Sequence, residues 1–209
     1  MKKPLFRPHT LLLAALLLLA APALWSCNTE TTFQKTARMH EEQLRIIDED
    51  TIRSYLRRNN QLNSATRTNS GLYVVGLSEG TGTAVQAGRQ VRVKYVGRFL
   101  SNGAHPESSG RPASFGYPRF PAGSIFDNSA TNRTLCGCAV FTAGSGIAGG
   151  TIAGFSEGLL LMRQGDRKLL LIPSRLAYGP SGSTDQSTGQ LVVPPNAALS
   201  FDIEILDVF

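Results

Sequence analysis

The chain has 209 residues, room for one ordinary domain with additions but not for two large ones. Hydrophobic residues make up 42% and charged residues 17%, which excludes a wholly disordered chain, and 21 Gly with 11 Pro point to many turns and a β-rich body. The net charge of +6 is scattered rather than gathered with aromatics on one element, so a solvated basic surface is expected and no nucleic-acid partner.

Residues 1–26 read as an export signal. Lys2, Lys3 and Arg7 charge the start, and Leu11 to Ala23 is almost purely Leu and Ala. That stretch is too short for the ~20 residues a spanning helix needs. It ends in Leu24-Trp25-Ser26-Cys27, which resembles a bacterial lipobox, with Trp25 where a small or aliphatic residue is usual. Cys27 is therefore the expected lipidation site and the expected contact with a bilayer, on the periplasmic side or the cell surface. A second acyl chain makes such anchoring stable where one is marginal.

Residues 27–70 read as a tether and a helical lead-in. Met39, Leu44, Ile47, Ile52, Tyr55 and Leu56 recur near helical spacing, which predicts one or two helices between about Thr36 and Asn60. The segment serves either as a spacer or as a weak dimerisation helix, so a monomer or weak dimer is expected. From Gly71 the period changes. Leu72 to Val75 forms a strand candidate, and Val91, Val93 and Tyr95 alternate with polar neighbours as a half-buried strand. Leu100 to Gly123 is a long loop rich in Gly, Pro, Ser and Asn. Phe155, Leu159 and Met162 share one face of a short helix. Leu169 to Ile172 is a buried strand, Leu176 to Pro195 another long loop, and Leu199, Phe201, Ile203 and Ile205 a final strand. These elements predict an α+β layout, an antiparallel sheet with one short helix across it.

Gly144-Ser145-Gly146-Ile147-Ala148-Gly149 spells a dinucleotide motif. The following helix is too short, and Asp166 precedes the next strand instead of ending it, so the motif is rejected. Cys136 and Cys138 can close a disulfide or remain two thiols, and are expected to be structural or incidental. His9, His40 and His105 do not cluster in the sequence, and no metal or cofactor is expected.

Seven blocks then stand in order: Val91-x-Val93-x-Tyr95-x-Gly97, Ile125-Phe126-Asp127-Asn128-Ser129, Ile152-x-Gly154-Phe155-x-Glu157-Gly158-Leu159, Met162-x-x-Gly165-Asp166, Ile172-Pro173, Leu176-Ala177-Tyr178-Gly179, and Val193-Pro194-Pro195-Asn196 running to Leu206. Residues 71–209 thereby resemble the FKBP-type peptidyl-prolyl cis/trans isomerases. The lead-in ending Ser70-Gly71-Leu72-Tyr73 is similar to that of lipoprotein members from Bacteroidetes-like bacteria. The resemblance implies a five- or six-stranded antiparallel half-barrel wrapped around one short helix, preceded by the helical segment. It implies a site of Asp127, Tyr178, Ile152 and Tyr95 with substrate-binding Phe126, Phe141, Phe155, Val193 and Phe201. It implies Pro-containing unfolded or extended polypeptides as substrates. Phe155 stands where many members carry Trp, and Ala139 where an aromatic is common. The alternative is a non-catalytic chaperone or scaffold lipoprotein with the same fold.

Overall fold

The computed structural model describes residues 30–106, 113–131, 134–146 and 150–209. The export signal and Cys27 lie outside the described residues. The chain divides into two compact units, Met1–Thr36 and Ala37–Phe209. In the first, Thr31 and Gln34 form a reciprocal cap: Thr31 N–H donates to Gln34 Oε1 at 2.9 Å and Gln34 N–H donates to Thr31 Oγ1 at 3.2 Å. This cap starts helix α1, Thr32–Arg58, four residues before the predicted Thr36. One helix occupies the segment where one or two were expected. It stops where Asn60 takes a positive φ of 55° and Gln61 N–H returns to the Leu56 carbonyl.

Nine strands follow among the described residues. β1 (Ala65–Arg67), β2 (Tyr73–Ser78), β3 (Gln90–Phe99), β4 (Ile125–Asn128), β5 (Ala139–Thr142), β6 (Arg167–Ile172) and β9 (Leu199–Val208) make one antiparallel sheet; β7 (Ser183–Thr184) and β8 (Leu191–Val193) form a separate ribbon. The main sheet runs β1-β2-β6-β9-β3-β4, with β5 also on β3. β4 and β5 share one edge because they pair with opposite halves of the ten-residue β3, at Val96–Arg98 and Gln90–Val93. The sheet thus has seven strands instead of five or six. The added edge strand β1 precedes the Gly71 boundary.

Both faces of the sheet are covered, and β6 shows why it reads as an unbroken apolar run. Leu170 and Ile172 face the short helix α2, Ala153–Leu160, in the main core with Tyr95, Phe155, Leu159 and Phe201. Leu169 and Leu171 face Ile52 and Leu56 of α1. α2 lies close on β6 because Gly154 and Gly158 present no side chain there. A Cβ on Gly154 would stand 2.5 Å from Ile172 Cγ2, and one on Gly158 2.1 Å from Leu170 Cδ1. The buried face of α1 includes His40 and Asp48, while Met39, expected on the apolar stripe, is exposed. Asp48 accepts hydrogen bonds from Ser174 N–H (2.7 Å) and Oγ (2.6 Å), tying α1 to the turn that leads to Tyr178.

Candidate active site

The alternation of β3 turns Tyr95 into the core while Lys94 faces outward. Tyr95 is fixed at two points. Its N–H donates to Ser129 Oγ at 3.0 Å, and its hydroxyl donates to Asp127 Oδ2 at 2.9 Å. Ser129 is buried and donates onward to the Gly137 carbonyl at 2.8 Å. Asp127 lies on β4 opposite Gly97, where the β3–β4 register shifts. Gly97 is required by packing: a Cβ there would sit 2.9 Å from both Phe126 Cζ and Phe201 Cε1.

Four rings meet around this point. Phe155, from the first turn of α2, lies 5.2 Å from Phe141, 5.7 Å from Tyr95 and 5.1 Å from Phe201 between centroids. The Phe155 contacts are edge-to-face, the arrangement that aligns ring edges with π faces. With Asp127, Gly150, Thr151, Ile152 and Tyr178 they line a cavity of about 100 Å³. Ile152 is the N-cap of α2 with an extended backbone (φ −69°, ψ 154°), so its peptide borders the cavity at the helix start. Tyr178 closes the rim and remains 37% exposed. Burial first, and then the charge of Asp127, push its phenol above the ordinary tyrosine value, so it stays a proton donor at neutral pH.

The structure therefore gathers Tyr95, Asp127, Phe141, Ile152, Phe155, Tyr178 and Phe201 around one cavity. Phe126 and Val193 are not in its lining. Phe126 packs behind Phe201, at 5.5 Å, and against Phe99 at 4.9 Å; Val193 is closed into the core at 1% exposure. Ser129 closes the second of the seven sequence blocks with no role assigned to it, and its hydroxyl accepts the Tyr95 N–H and holds that residue in place. A small polar residue after Asp127-Asn128 reads as an ordinary turn. His40 and His105, far apart in sequence, bring their rings within 5.4 Å. Among the described residues, no three His, Cys, Asp or Glu side chains converge on a metal position. Of the rejected glycine motif, Gly144 and Gly146 take positive φ in the turn after β5, and residues 147–149 lie outside the described residues.

Residues 81–206 match the family described as FKBP-type peptidyl-prolyl cis-trans isomerase. The chain belongs to this family. Its FKBP-type region is 30% identical over 139 residues to an FK506-binding protein of Neisseria meningitidis serogroup B, a match covering 66% of this chain and 97% of that relative. Among solved structures, a peptidyl-prolyl cis-trans isomerase of Pseudomonas syringae pv. tomato aligns with a TM-score of 0.52 and 25% identity, over 78% of this chain and 93% of the other. FkpA from Escherichia coli aligns over 97% of this chain and 82% of its own, with a TM-score of 0.54 and 23% identity, a likeness of fold. As an FKBP-type isomerase the chain acts on X-Pro peptide bonds.

Proposed function

We propose that the Tyr95–Asp127–Phe155–Tyr178–Phe201 cavity binds the X-Pro amide of an extended polypeptide and favours its twisted form. Rotation about the amide crosses a barrier of ~18–20 kcal/mol because it breaks C–N conjugation. No bond to the substrate forms, so catalysis needs selective binding of the twisted state and no nucleophile. A twisted amide has less charge separation than a planar one. A pocket of four aromatic rings therefore disfavours it less than it disfavours the planar form. The Ile152 N–H at the start of α2 and the Tyr178 hydroxyl are the two donors placed to hold the substrate carbonyls. Asp127, anchored by the Tyr95 hydroxyl, keeps a carboxylate in the same cavity wall. Each tenfold in rate requires ~1.4 kcal/mol of preference for the twisted state, so a few such contacts suffice.

The observation that carries this reading is the Tyr95–Asp127 hydrogen bond set inside the cluster of rings. Residues 71–209 serve as the isomerase domain, 27–70 as tether and lead-in, and 1–26 as a lipoprotein signal peptide. The protein is held by an acylated Cys27 in a bacterial cell envelope, of the Bacteroidetes-like lipoprotein group, and assists folding of exported proteins. The sequence Leu24-Trp25-Ser26-Cys27 after a short Leu/Ala stretch supports that placement. The direct test is isomerisation of a proline-containing peptide by the full chain in detergent, beside Asp127→Ala and Tyr178→Phe. Acceleration that falls roughly tenfold or more in folded variants supports the site. Unchanged rates in both variants would move the working surface elsewhere. Metabolic labelling with a palmitate analogue, lost in Cys27→Ala, tests the anchor separately.

A further inference from the structure

Cys136 and Cys138 are joined by a disulfide across the single residue Gly137. A disulfide stabilises a fold largely by restricting the unfolded chain, and the effect grows with the loop it encloses. A bond across one residue encloses almost none, so stability does not account for it. Gly137 has φ 58°, and its carbonyl takes the Ser129 hydroxyl, which fixes the ring on the connection between β4 and β5.

The two sulfurs differ in access. Cys136 is exposed, whereas Cys138 is buried, with 3% of its surface accessible. Thr134 grips the buried member: its Oγ1 accepts from Cys138 N–H at 3.1 Å and donates to the Cys138 carbonyl at 3.0 Å. The same oxygen lies 3.6 Å from Cys136 Sγ. Cys136 opens onto a wide surface groove of about 530 Å³ that also carries Lys94, Arg167, Asp202 and Glu204. Arg167 is engaged with Asp202 by two hydrogen bonds of 2.8 and 2.7 Å. Leu135, beside Cys136, is a fully exposed apolar side chain.

We propose that Cys136–Cys138 is a thiol–disulfide exchange site for cysteine-bearing polypeptides, with Cys136 as the sulfur attacked. Exposed disulfides are the labile ones that exchange. An open groove beside an apolar side chain suits an extended chain segment better than a compact small molecule. In the first step a client thiolate attacks Cys136 Sγ. The client S–Cys136 bond forms, the Cys136–Cys138 bond breaks, and Cys138 leaves as a thiolate that takes a proton from water. In the second step another thiolate of the same client attacks its own sulfur in the mixed disulfide. The client disulfide forms and Cys136 leaves as a thiolate. Two electrons pass from the client dithiol to the Cys136–Cys138 pair, which ends as a dithiol. A small-molecule disulfide such as oxidised glutathione closes the pair again by the reverse exchange.

The test uses the full chain in detergent with two probes. A single-cysteine peptide is mixed with the protein, quenched in acid and mapped by mass spectrometry. The expected adduct is on Cys136 with Cys138 as a free thiol, and mapping separates it from any reaction at Cys27. A reduced two-cysteine peptide should yield one peptide disulfide per chain, roughly tenfold or more faster than with the same concentration of oxidised glutathione. Cys136→Ser and Cys138→Ser should each abolish this reaction while shifting Tm by less than about 3 °C. A pair that stays closed in excess thiol, an adduct on Cys138, or a Tm loss well beyond that range in either variant would overturn the proposal.

Discussion

Asp48 gives the fold a pH dependence with a definite sign. Its side chain is buried, and burial pushes the carboxyl up to about 6 against the hydrogen bonds from Ser174 and the nearby charge of Arg175. An Asp in the unfolded chain titrates near ~3.9. Between about 4 and about 6 the folded state therefore binds the proton that the unfolded state has released. Stability from this group is fully present below the unfolded value and is lost as pH rises through about 6. A gap of about two pH units corresponds to roughly 3 kcal/mol. Asp48→Asn keeps the shape and one acceptor oxygen and removes the titration. Urea unfolding of both proteins from about pH 4 to about pH 7.5 gives the difference in free energy at each pH. That difference cancels the background from other carboxylates, including Asp166. Burial alone would raise Asp166, but donors from Gly80 and Arg163 and the Lys168 ammonium hold it below the usual range. The variant should gain on the wild type by roughly 3 kcal/mol across this range, with the gain centred near pH 5. A flat difference, or one in which wild type gains as pH rises, would show that the Ser174 donors outweigh burial.

Other consequences concern the site. Gly97→Ala places a Cβ against two rings, Phe126 and Phe201, and should cost about 1–3 kcal/mol and lower isomerase activity by displacing Phe201; a chevron or thermal melt matching wild type would contradict the packing. Tyr95→Phe removes the hydrogen bond to Asp127 and should cost about 1 kcal/mol in stability, with a larger relative fall in kcat/KM than in peptide affinity. Equal losses in both would make the bond a binding contact alone. The Tyr178 phenol is pushed up by burial and then by the Asp127 charge. The ultraviolet titration of wild type minus Tyr178→Phe should therefore have its midpoint above the ordinary value of ~10; a midpoint at that value would place the hydroxyl in water, and one below it beside a cation.

The elements legible in the sequence are those whose side chains see one dominant environment. β3 alternates along its length and β9 from Phe201 to Ile205 because one face of each joins the core with α2, and Phe155 and Leu159 mark α2 itself. What escaped has a physical reason in each case. β1 is three mostly polar residues at a sheet edge, held by backbone pairing to β2 and not by a buried side chain. β7 and β8 lie within a Gly- and Ser-rich loop, where a two-stranded ribbon needs turn geometry more than apolar content. The apolar stripe sought on α1 failed at Met39 because the helix buries His40 and Asp48, and Asp48 is admitted by two donors from a residue far along the chain. In the site, Tyr95, Asp127, Phe155, Tyr178 and Phe201 followed from the order of the motifs. The separation of Phe126 from the cavity did not, because it depends on which side of the Phe201 ring it packs.

The same glycines that look like punctuation in the sequence set the dimensions of the pocket. Gly154 and Gly158 let α2 settle onto Ile172 and Leu170, which brings Phe155, on the same helix, to Tyr95, Phe141 and Phe201. Gly97 lets Phe126 press on Phe201 from behind, so the ring that forms the far wall is held without a hydrogen bond. On β5, Ala139 and Phe141 lie opposite Val93 and Val91, two residues apart and therefore on one face. Ala139 packs against the core there, while Phe141 closes the wall against Phe155. The polar half is fixed differently: Ser129 holds the Tyr95 backbone, and the Tyr95 hydroxyl holds Asp127. The apolar wall and the carboxylate meet in Tyr95, whose ring packs on Phe141, Phe155 and Phe201 while its hydroxyl holds Asp127. Ser129→Ala should therefore disturb both halves at once and lower kcat/KM on every X-Pro peptide tested, and an unchanged rate in a folded variant would refute the coupling through Tyr95.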